Sequence, residues 1–132
     1  MEEIAHAKAA VSIPVIANGG IFSVEDAARM MAYTGADGIM IARYGLENPF
    51  IFGELTGKPC GKPALTLLSE QMALAARHYD ETFTLRYIKK LASYMMKKRK
   101  GTKRYKERMY RSGSLDELRE VIGLIFADNP AC

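Results

Sequence analysis

The chain has 132 residues, of which 48% are hydrophobic and 26% charged, and a net charge of +4. This length suits one domain, and no apolar run approaches the roughly 20 residues of a membrane span. The start lacks the basic residues and apolar core of a signal peptide, and two cysteines form no disulfide framework, so we expect a cytoplasmic chain with no leader.

The first third of the chain predicts a strand–helix–strand unit. Residues 2–10 have the pattern of a helix end, and the apolar residues 13–17 predict a buried strand. Apolar residues at helical spacing predict a helix over 24–33, packed on the sheet, which Gly35 ends in a left-handed conformation. Residues 37–41 predict a second strand. Such a unit is expected to be parallel and right-handed.

Two serines are placed to begin helices. Ser23 precedes the first apolar residue of the predicted helix, and Asp26 follows at the third position after it. Ser114 and Glu117 have the spacing of a capping box, in which each side chain accepts a backbone hydrogen bond.

Beyond the second strand the sequence predicts five helices and one linker. A short helix covers 46–54 and contains the segment NPFIF. Residues 56–63 hold two glycines and two prolines and form the linker. Leucine, alanine and methionine at helical spacing predict the other helices over 64–79, 81–98, 103–111 and 114–127.

Both predicted strands end in glycine-containing backbone. Gly19 and Gly20 follow the first strand, and Gly45 follows the second, just before the predicted short helix. In a parallel (β/α)8 barrel, the loops after the last two strands and a short extra helix offer N–H groups to a phosphate. The paired segments therefore favour a phosphate site, although the glycines could simply permit tight turns. A complete barrel needs about 250 residues, so we expect only its final part here.

Positive charge is concentrated in the second half of the chain. Residues 65–132 hold 14 Lys and Arg against 8 Asp and Glu, whereas residues 1–64 hold 5 against 7. Residues 86–111 alone contain 12 basic residues, four tyrosines and one acid. This pattern favours binding of RNA or DNA phosphates over a merely solubilising surface. Lysines 89, 90, 97 and 98 cannot all share one helix face.

No catalytic or metal-binding group is predicted. His6 and His78 are far apart and lack metal-ligand spacing, and Cys60 lies in the linker without a partner base. We therefore expect the two histidines to have packing or surface roles and Cys60 to be a bystander thiol.

Three segments together resemble the C-terminal part of the tRNA-dihydrouridine synthases: PVIANGGI at 14–21, TGADGIMIAR at 34–43 and NPFIF at 48–52. That family reduces a uridine of tRNA to dihydrouridine with FMN and NADPH. The resemblance implies an α/β part followed by an all-α part: a C-terminal fragment of an FMN-binding TIM (β/α)8 barrel over 1–55, a linker over 56–63 and a helical tRNA-binding domain over 64–132.

The resemblance also suggests site residues. The phosphate end of FMN is expected at Asn18, Gly19, Gly20, Ala42 and Arg43. Lys89 and Lys90 match a basic pair that the family often shows, and the basic cluster extends the expected tRNA surface to Lys97, Lys98, Arg99, Lys100, Lys103 and Arg104.

Some residues depart from the family. It often has Asp at the position of Gly20, Gly at that of Tyr44 and His at that of Leu91. Its catalytic cysteine belongs to an earlier part of the barrel, and neither Cys60 nor Cys132 matches that position. We therefore expect the chain to be inactive alone.

Two other functions remain open. Residues 64–127 could be a stand-alone nucleic-acid-binding module, and the whole chain could be a fragment of another phosphate-binding barrel enzyme. Two isolated parallel strands would leave unpaired edges, so we also expect self-association.

Overall fold

The computed structural model describes residues 1–58, 61–97 and 99–127 and divides into two compact units, Met1–Pro59 and Cys60–Cys132. It is mostly helical, with one small parallel sheet. Among the described residues, no helix combines the length and apolar character needed to cross a membrane. Cys60, Lys98 and the predicted tail from 128 onward lie outside the described residues.

The first unit contains a two-stranded parallel sheet among four helices. Its elements are α1 (Glu2–Ala10), β1 (Ile16–Asn18), α2 (Val24–Thr34), β2 (Gly38–Met40), α3 (Arg43–Glu47) and α4 (Ile51–Leu55). In the parallel register, Ile16 pairs with Gly38, Ala17 with Ile39 and Asn18 with Met40. The predicted parallel strand–helix–strand unit is confirmed.

Local signals at both ends of α2 act as predicted. Ser23 Oγ accepts a hydrogen bond from the Asp26 N–H at 3.1 Å, and Asp26 Oδ2 accepts one from the Phe22 N–H at 3.0 Å. At the other end, Gly35 has a φ of 63° and donates its N–H to the Met31 carbonyl at 3.0 Å. These contacts satisfy backbone groups that a helix leaves unpaired at its ends.

The prediction of a buried strand over 13–17 is wrong. The strand covers 16–18, and within it only Ala17 is buried, whereas Ile16 is 58% exposed. Successive side chains of a strand point to opposite faces, and α2 covers only the face that carries Ala17. The other face carries the exposed apolar side chains of Ile16 and Met40.

The buried face of α2 is only partly the predicted one. Of the apolar residues expected to pack on the sheet, Ala27 is buried and Met31 packs against the core, whereas Val24 and Ala28 are exposed. Met30 and Thr34 are also buried. The hydroxyl of Thr34 is accommodated because it donates to the Met30 carbonyl at 2.7 Å.

The single helix predicted over 46–54 is instead two short helices. Pro49 lacks an N–H and forces the preceding residue out of the helical region. Asn48 accordingly has φ −133° and ψ 85°, and its Oδ1 accepts a hydrogen bond from the Phe50 N–H at 3.2 Å. The break separates α3 from α4.

The second unit is a four-helix cluster, and its four predicted helices are confirmed to within two residues at each end. They are α5 (Ala64–His78), α6 (Glu81–Met96), α7 (Lys103–Arg111) and α8 (Leu115–Phe126). Helix α8 packs against the other three, and its Leu118, Val121, Ile122 and Phe126 are almost fully buried. The predicted capping box is present, but Glu117 accepts from the Gly113 N–H at 2.7 Å rather than from that of Ser114.

Candidate functional site

The first candidate site is a cavity of about 210 Å³ where the two parallel strands end. All five residues of the predicted phosphate site line this cavity, together with five apolar or aromatic neighbours. The complete lining is Asn18, Gly19, Gly20, Ile21, Phe22, Met40, Ile41, Ala42, Arg43 and Tyr44. The parallel register places the ends of both strands side by side, so residues about 24 positions apart share one cavity.

Gly19 and Gly20 line this cavity with backbone that carries no side chains. Their φ values are 111° and 67°, which side chains of L-residues rarely tolerate. A Cβ built on either glycine would meet no atom within 4 Å, so the space beside this backbone is open. An anion could therefore approach the main chain here, with the Arg43 guanidinium as the cation that lines the same cavity.

Gly45 has a different role from the predicted one. A Cβ at this position would lie 3.1 Å from two ring carbons of Phe52. Gly45 therefore makes room for packing between α3 and α4, and the cavity owes its open backbone to Gly19 and Gly20.

The aromatic side of the cavity is formed by Phe22 and Tyr44. Their ring centroids lie 5.8 Å apart with an interplanar angle of 75°, an edge-to-face arrangement that aromatic pairs favour. This contact links Phe22, two residues after the glycine pair, to the first turn of α3.

Asp37 fixes the entry to β2, a role that the sequence reasoning missed. Its Oδ2 accepts hydrogen bonds from Lys8 Nζ at 2.6 Å and from the Val15 N–H at 2.7 Å. The bond from Lys8, followed by that from Val15, holds the pKa of this exposed carboxyl below its ordinary value. The carboxylate thus ties α1 and the approach to β1 to the start of β2.

The second candidate site is a basic cleft of about 560 Å³ between α6 and α7. The residues that line it are Arg86, Lys89, Lys90, Ser93, Tyr94, Lys97, Lys106 and Tyr110. Five of these eight are cations and none is an acid, so the cleft presents one sign of charge. It gathers three predicted residues, Lys89, Lys90 and Lys97, and two that the sequence reasoning did not assign, Arg86 and Lys106.

The ammonium of Lys89 is engaged in hydrogen bonds within the fold. Its Nζ donates to the carbonyl oxygens of Tyr110 at 3.0 Å and of Ser112 at 2.6 Å. These carbonyls lie at the C-terminal end of α7, where helices leave acceptors unpaired and favour a cation. Lys89 therefore joins α6 to the end of α7.

Polar and aromatic contacts order the rest of the cleft. Ser93 Oγ and Tyr110 Oη share a hydrogen bond of 2.7 Å across it, and Lys97 Nζ lies 4.5 Å from the centroid of the Tyr94 ring. The cleft is thus a surface of cations with aromatic rings between them.

The remaining predicted basic residues that the structure describes do not line the cleft. The guanidinium of Arg99 lies 4.6 Å from the Phe126 ring centroid, and that of Arg104 lies 4.7 Å from the Tyr105 ring centroid. Lys100 and Lys103 are exposed between α6 and the first turn of α7, and Lys98 is outside the described residues. Over the described ranges, no group of three or more His, Cys, Asp and Glu side chains is arranged to hold a metal ion.

Comparisons with a family model and with curated proteins point to the same family. Residues 1–123 match the family described as "Dihydrouridine synthase (Dus)". The chain is 33% identical to the "Probable tRNA-dihydrouridine synthase 1" of Synechocystis sp., over 98% of this chain and 39% of that protein. It is 34% identical to the "tRNA-dihydrouridine synthase B" of Pseudomonas putida, over 76% of this chain and 33% of the relative. The chain thus spans well under half the length of these curated relatives.

Proposed function

We propose that this chain, which belongs to the dihydrouridine synthase family, forms the part of a flavin-dependent tRNA-dihydrouridine synthase that holds the flavin phosphate and binds tRNA. One observation carries the proposal: the residues expected around a phosphate converge on a single cavity at the ends of two parallel strands. The active enzyme would reduce a uridine of tRNA to dihydrouridine.

The first unit fits the phosphate end of FMN. The bare backbone at Gly19 and Gly20 admits an anion, Arg43 supplies a positive charge, and Asn18 and Ala42 complete the lining. When bound, FMN would carry the hydride chemistry, with NADPH as the reductant. The contribution of these residues would be to bind and orient the phosphate. Because no catalytic residue is assigned to this chain, we expect it to be inactive alone.

The exposed face of the sheet supports the interpretation of residues 1–55 as part of a TIM (β/α)8 barrel. Ile16 and Met40 are 58% and 50% exposed, as strand residues would be where neighbouring strands and barrel-filling side chains are needed to cover them. The same uncovered strands would favour self-association of the chain, and a clean monomer in light scattering would contradict that expectation.

The helices of the second unit, which follow the predicted linker at 56–63, fit a tRNA-binding domain over 64–132. Its basic cleft offers Arg86, Lys90 and Lys106 to phosphates along a backbone. Lys89 would support the cleft by holding α7 in place. If so, replacing Lys90 and Lys106 by alanine should weaken tRNA binding more than replacing Lys100 and Lys103, which lie outside the cleft.

The phosphate site is tested by titrating the chain with FMN and with riboflavin, which lacks the phosphate. We expect FMN to bind more tightly than riboflavin, and Arg43→Gln to remove that difference without altering helix content. Equal affinity for both flavins would contradict a phosphate site. Strong tRNA binding with no flavin preference would favour a stand-alone nucleic-acid-binding module instead.

A third outcome would point to another phosphate-binding barrel enzyme. In that case the chain would bind neither flavin nor tRNA but would bind a sugar phosphate, and Arg43→Gln would weaken that binding.

A further inference from the structure

Three aromatic rings form a row on the surface of the second unit. The ring centroids of Tyr79 and Phe83 lie 4.2 Å apart at an interplanar angle of 27°, and those of Phe83 and Tyr87 lie 6.2 Å apart at 13°. The three rings are therefore nearly parallel, in contrast to the edge-to-face contact of Phe22 and Tyr44. We call Tyr79, Phe83 and Tyr87 the aromatic row.

The aromatic row is exposed to solvent. Tyr79 is 56% exposed, Phe83 40% and Tyr87 38%. With α5 residues it borders a concavity of about 390 Å³, whose lining is mostly apolar: Gln71, Leu74, Ala75, His78, Tyr79, Phe83 and Tyr87. Exposed contiguous apolar surface of this kind commonly marks an interaction site.

The rings are held in position before any partner binds. Asp80 Oδ1 accepts a hydrogen bond from the Phe83 N–H at 2.7 Å, which fixes the first turn of α6 beneath the row. Tyr87 Oη donates to Gln71 Oε1 at 3.0 Å, which ties its ring to α5. Little conformational freedom would be lost on binding, so the row is suited to recognition.

Cations lie beside the aromatic row on the same helix. Arg86 follows Phe83 by three positions on α6, and Lys90 follows Tyr87 by three. This spacing places the two cations on the part of the helix surface next to the aromatic rings. Both cations also line the basic cleft between α6 and α7. Helix α6 therefore presents an aromatic stripe and a basic stripe side by side.

We infer that the aromatic row is a stacking platform for an unpaired base of RNA, with the flanking phosphates on Arg86 and Lys90. Single-stranded nucleic acids are bound by aromatic rings on which bases stack, beside cations that follow the backbone. The basic stripe would not strengthen the binding of an apolar peptide. In a paired duplex the bases are stacked on one another and cannot stack on the rings. This inference rests on the RNA-binding part of the proposed function and adds the element of RNA that is recognised.

A tryptophan reporter tests the platform directly, because the chain contains no tryptophan. In Tyr79→Trp, stacking of a base should quench the indole emission. Tyr33→Trp is the matched control, since Tyr33 is 57% exposed on α2 in the other unit. We expect a single-stranded oligouridylate to quench the first variant and not the second, and a duplex RNA of equal charge to quench neither. Equal quenching of both variants would overturn the inference.

Affinity gives a second, independent readout. Tyr79→Leu removes the end ring of the row, whose outer face Phe83 does not cover, and keeps an apolar side chain. Base stacking of the usual strength predicts a loss of about 5- to 150-fold in affinity for the single strand. Duplex affinity should not change, and circular dichroism should show the helix content of the unmodified chain.

The outcomes separate this inference from the proposed function. If Tyr79→Leu does not weaken single-strand binding and the reporter shows no quenching, while Lys90→Ala with Lys106→Ala weakens tRNA binding, the platform is refuted and the basic cleft stands. If the unmodified chain binds no RNA even at low salt, both the platform and the tRNA-binding proposal fail.

Discussion

Replacing Lys89 with methionine should destabilise the helical unit, whereas the same change at the adjacent Lys90 should not. The Lys89 ammonium donates to two carbonyl oxygens at the end of α7, those of Tyr110 and Ser112. A hydrogen bond with a charged partner contributes about 1.5–3 kcal/mol, and a cation at a helix C-terminus about 0.3–1 kcal/mol. Because the side chain is only half-buried and the contacts are partly open to water, we expect a net loss of about 1–2 kcal/mol.

Urea unfolding followed by circular dichroism measures this loss as a lower midpoint, with Lys90→Met as the control of identical chemistry. Lys90 is exposed and is expected to change stability by about 0.5 kcal/mol or less. Its effect should instead appear in tRNA binding. Equal stability of the two variants would refute the assignment of Lys89 to the support of α7, and Lys89 would then return to the group of candidate phosphate contacts.

Three further changes test the local interactions that build the two units. Gly35→Ala should lower stability by about 1–2 kcal/mol, because φ at this position is 63°; an unchanged melting temperature would contradict the left-handed cap. Ser114→Ala should cost about 1 kcal/mol by removing the hydrogen bond from the Glu117 N–H, whereas Ser69→Ala on the exposed side of α5 should have little effect in the same melt. The Asp37 carboxyl has a pKa below its ordinary value, so the unfolded state binds more protons in acid. Its stabilising effect is present above the ordinary pKa and is lost as the pH falls through the lowered one. Asp37→Asn should therefore be less stable than the unmodified chain at neutral pH and equally stable in strong acid, and a difference independent of pH would count against the ion pair with Lys8.

The features predicted best from the sequence are those that depend only on residues close together in the chain. Ser23 and Gly35 mark the two ends of α2 because capping depends on a few adjacent residues. Helix α7 also covers the predicted range 103–111, although its start has no side-chain capping hydrogen bond. That the predicted phosphate-site residues would share one cavity was also predictable, since each strand carries its own loop and the parallel register needs only one helix between them.

What the sequence could not show depends on packing between distant elements. The apolar run at 13–17 indicated burial, but whether Ile16 is covered depends on elements outside the run, and α2 covers only the opposite face. The sequence contains Pro49, but the prediction of one helix over 46–54 did not include the break that this proline causes at Asn48. Arg86 and Lys106 join the cleft, and Lys89 takes a structural role within it, only because α7 returns beside α6.

Binding of tRNA by this chain across a salt series, with FMN titrated in parallel, tests the central claim most directly. We expect binding that weakens steeply with salt, and a smaller salt slope, by about 0.7–0.9 per lost phosphate contact, when Lys90 and Lys106 are replaced by alanine. FMN should bind at the same time, because its cavity lies in the first unit and the basic cleft in the second. No tRNA binding at low salt, or binding unchanged in the Lys90 and Lys106 variant, would contradict the claim that the basic cleft binds tRNA.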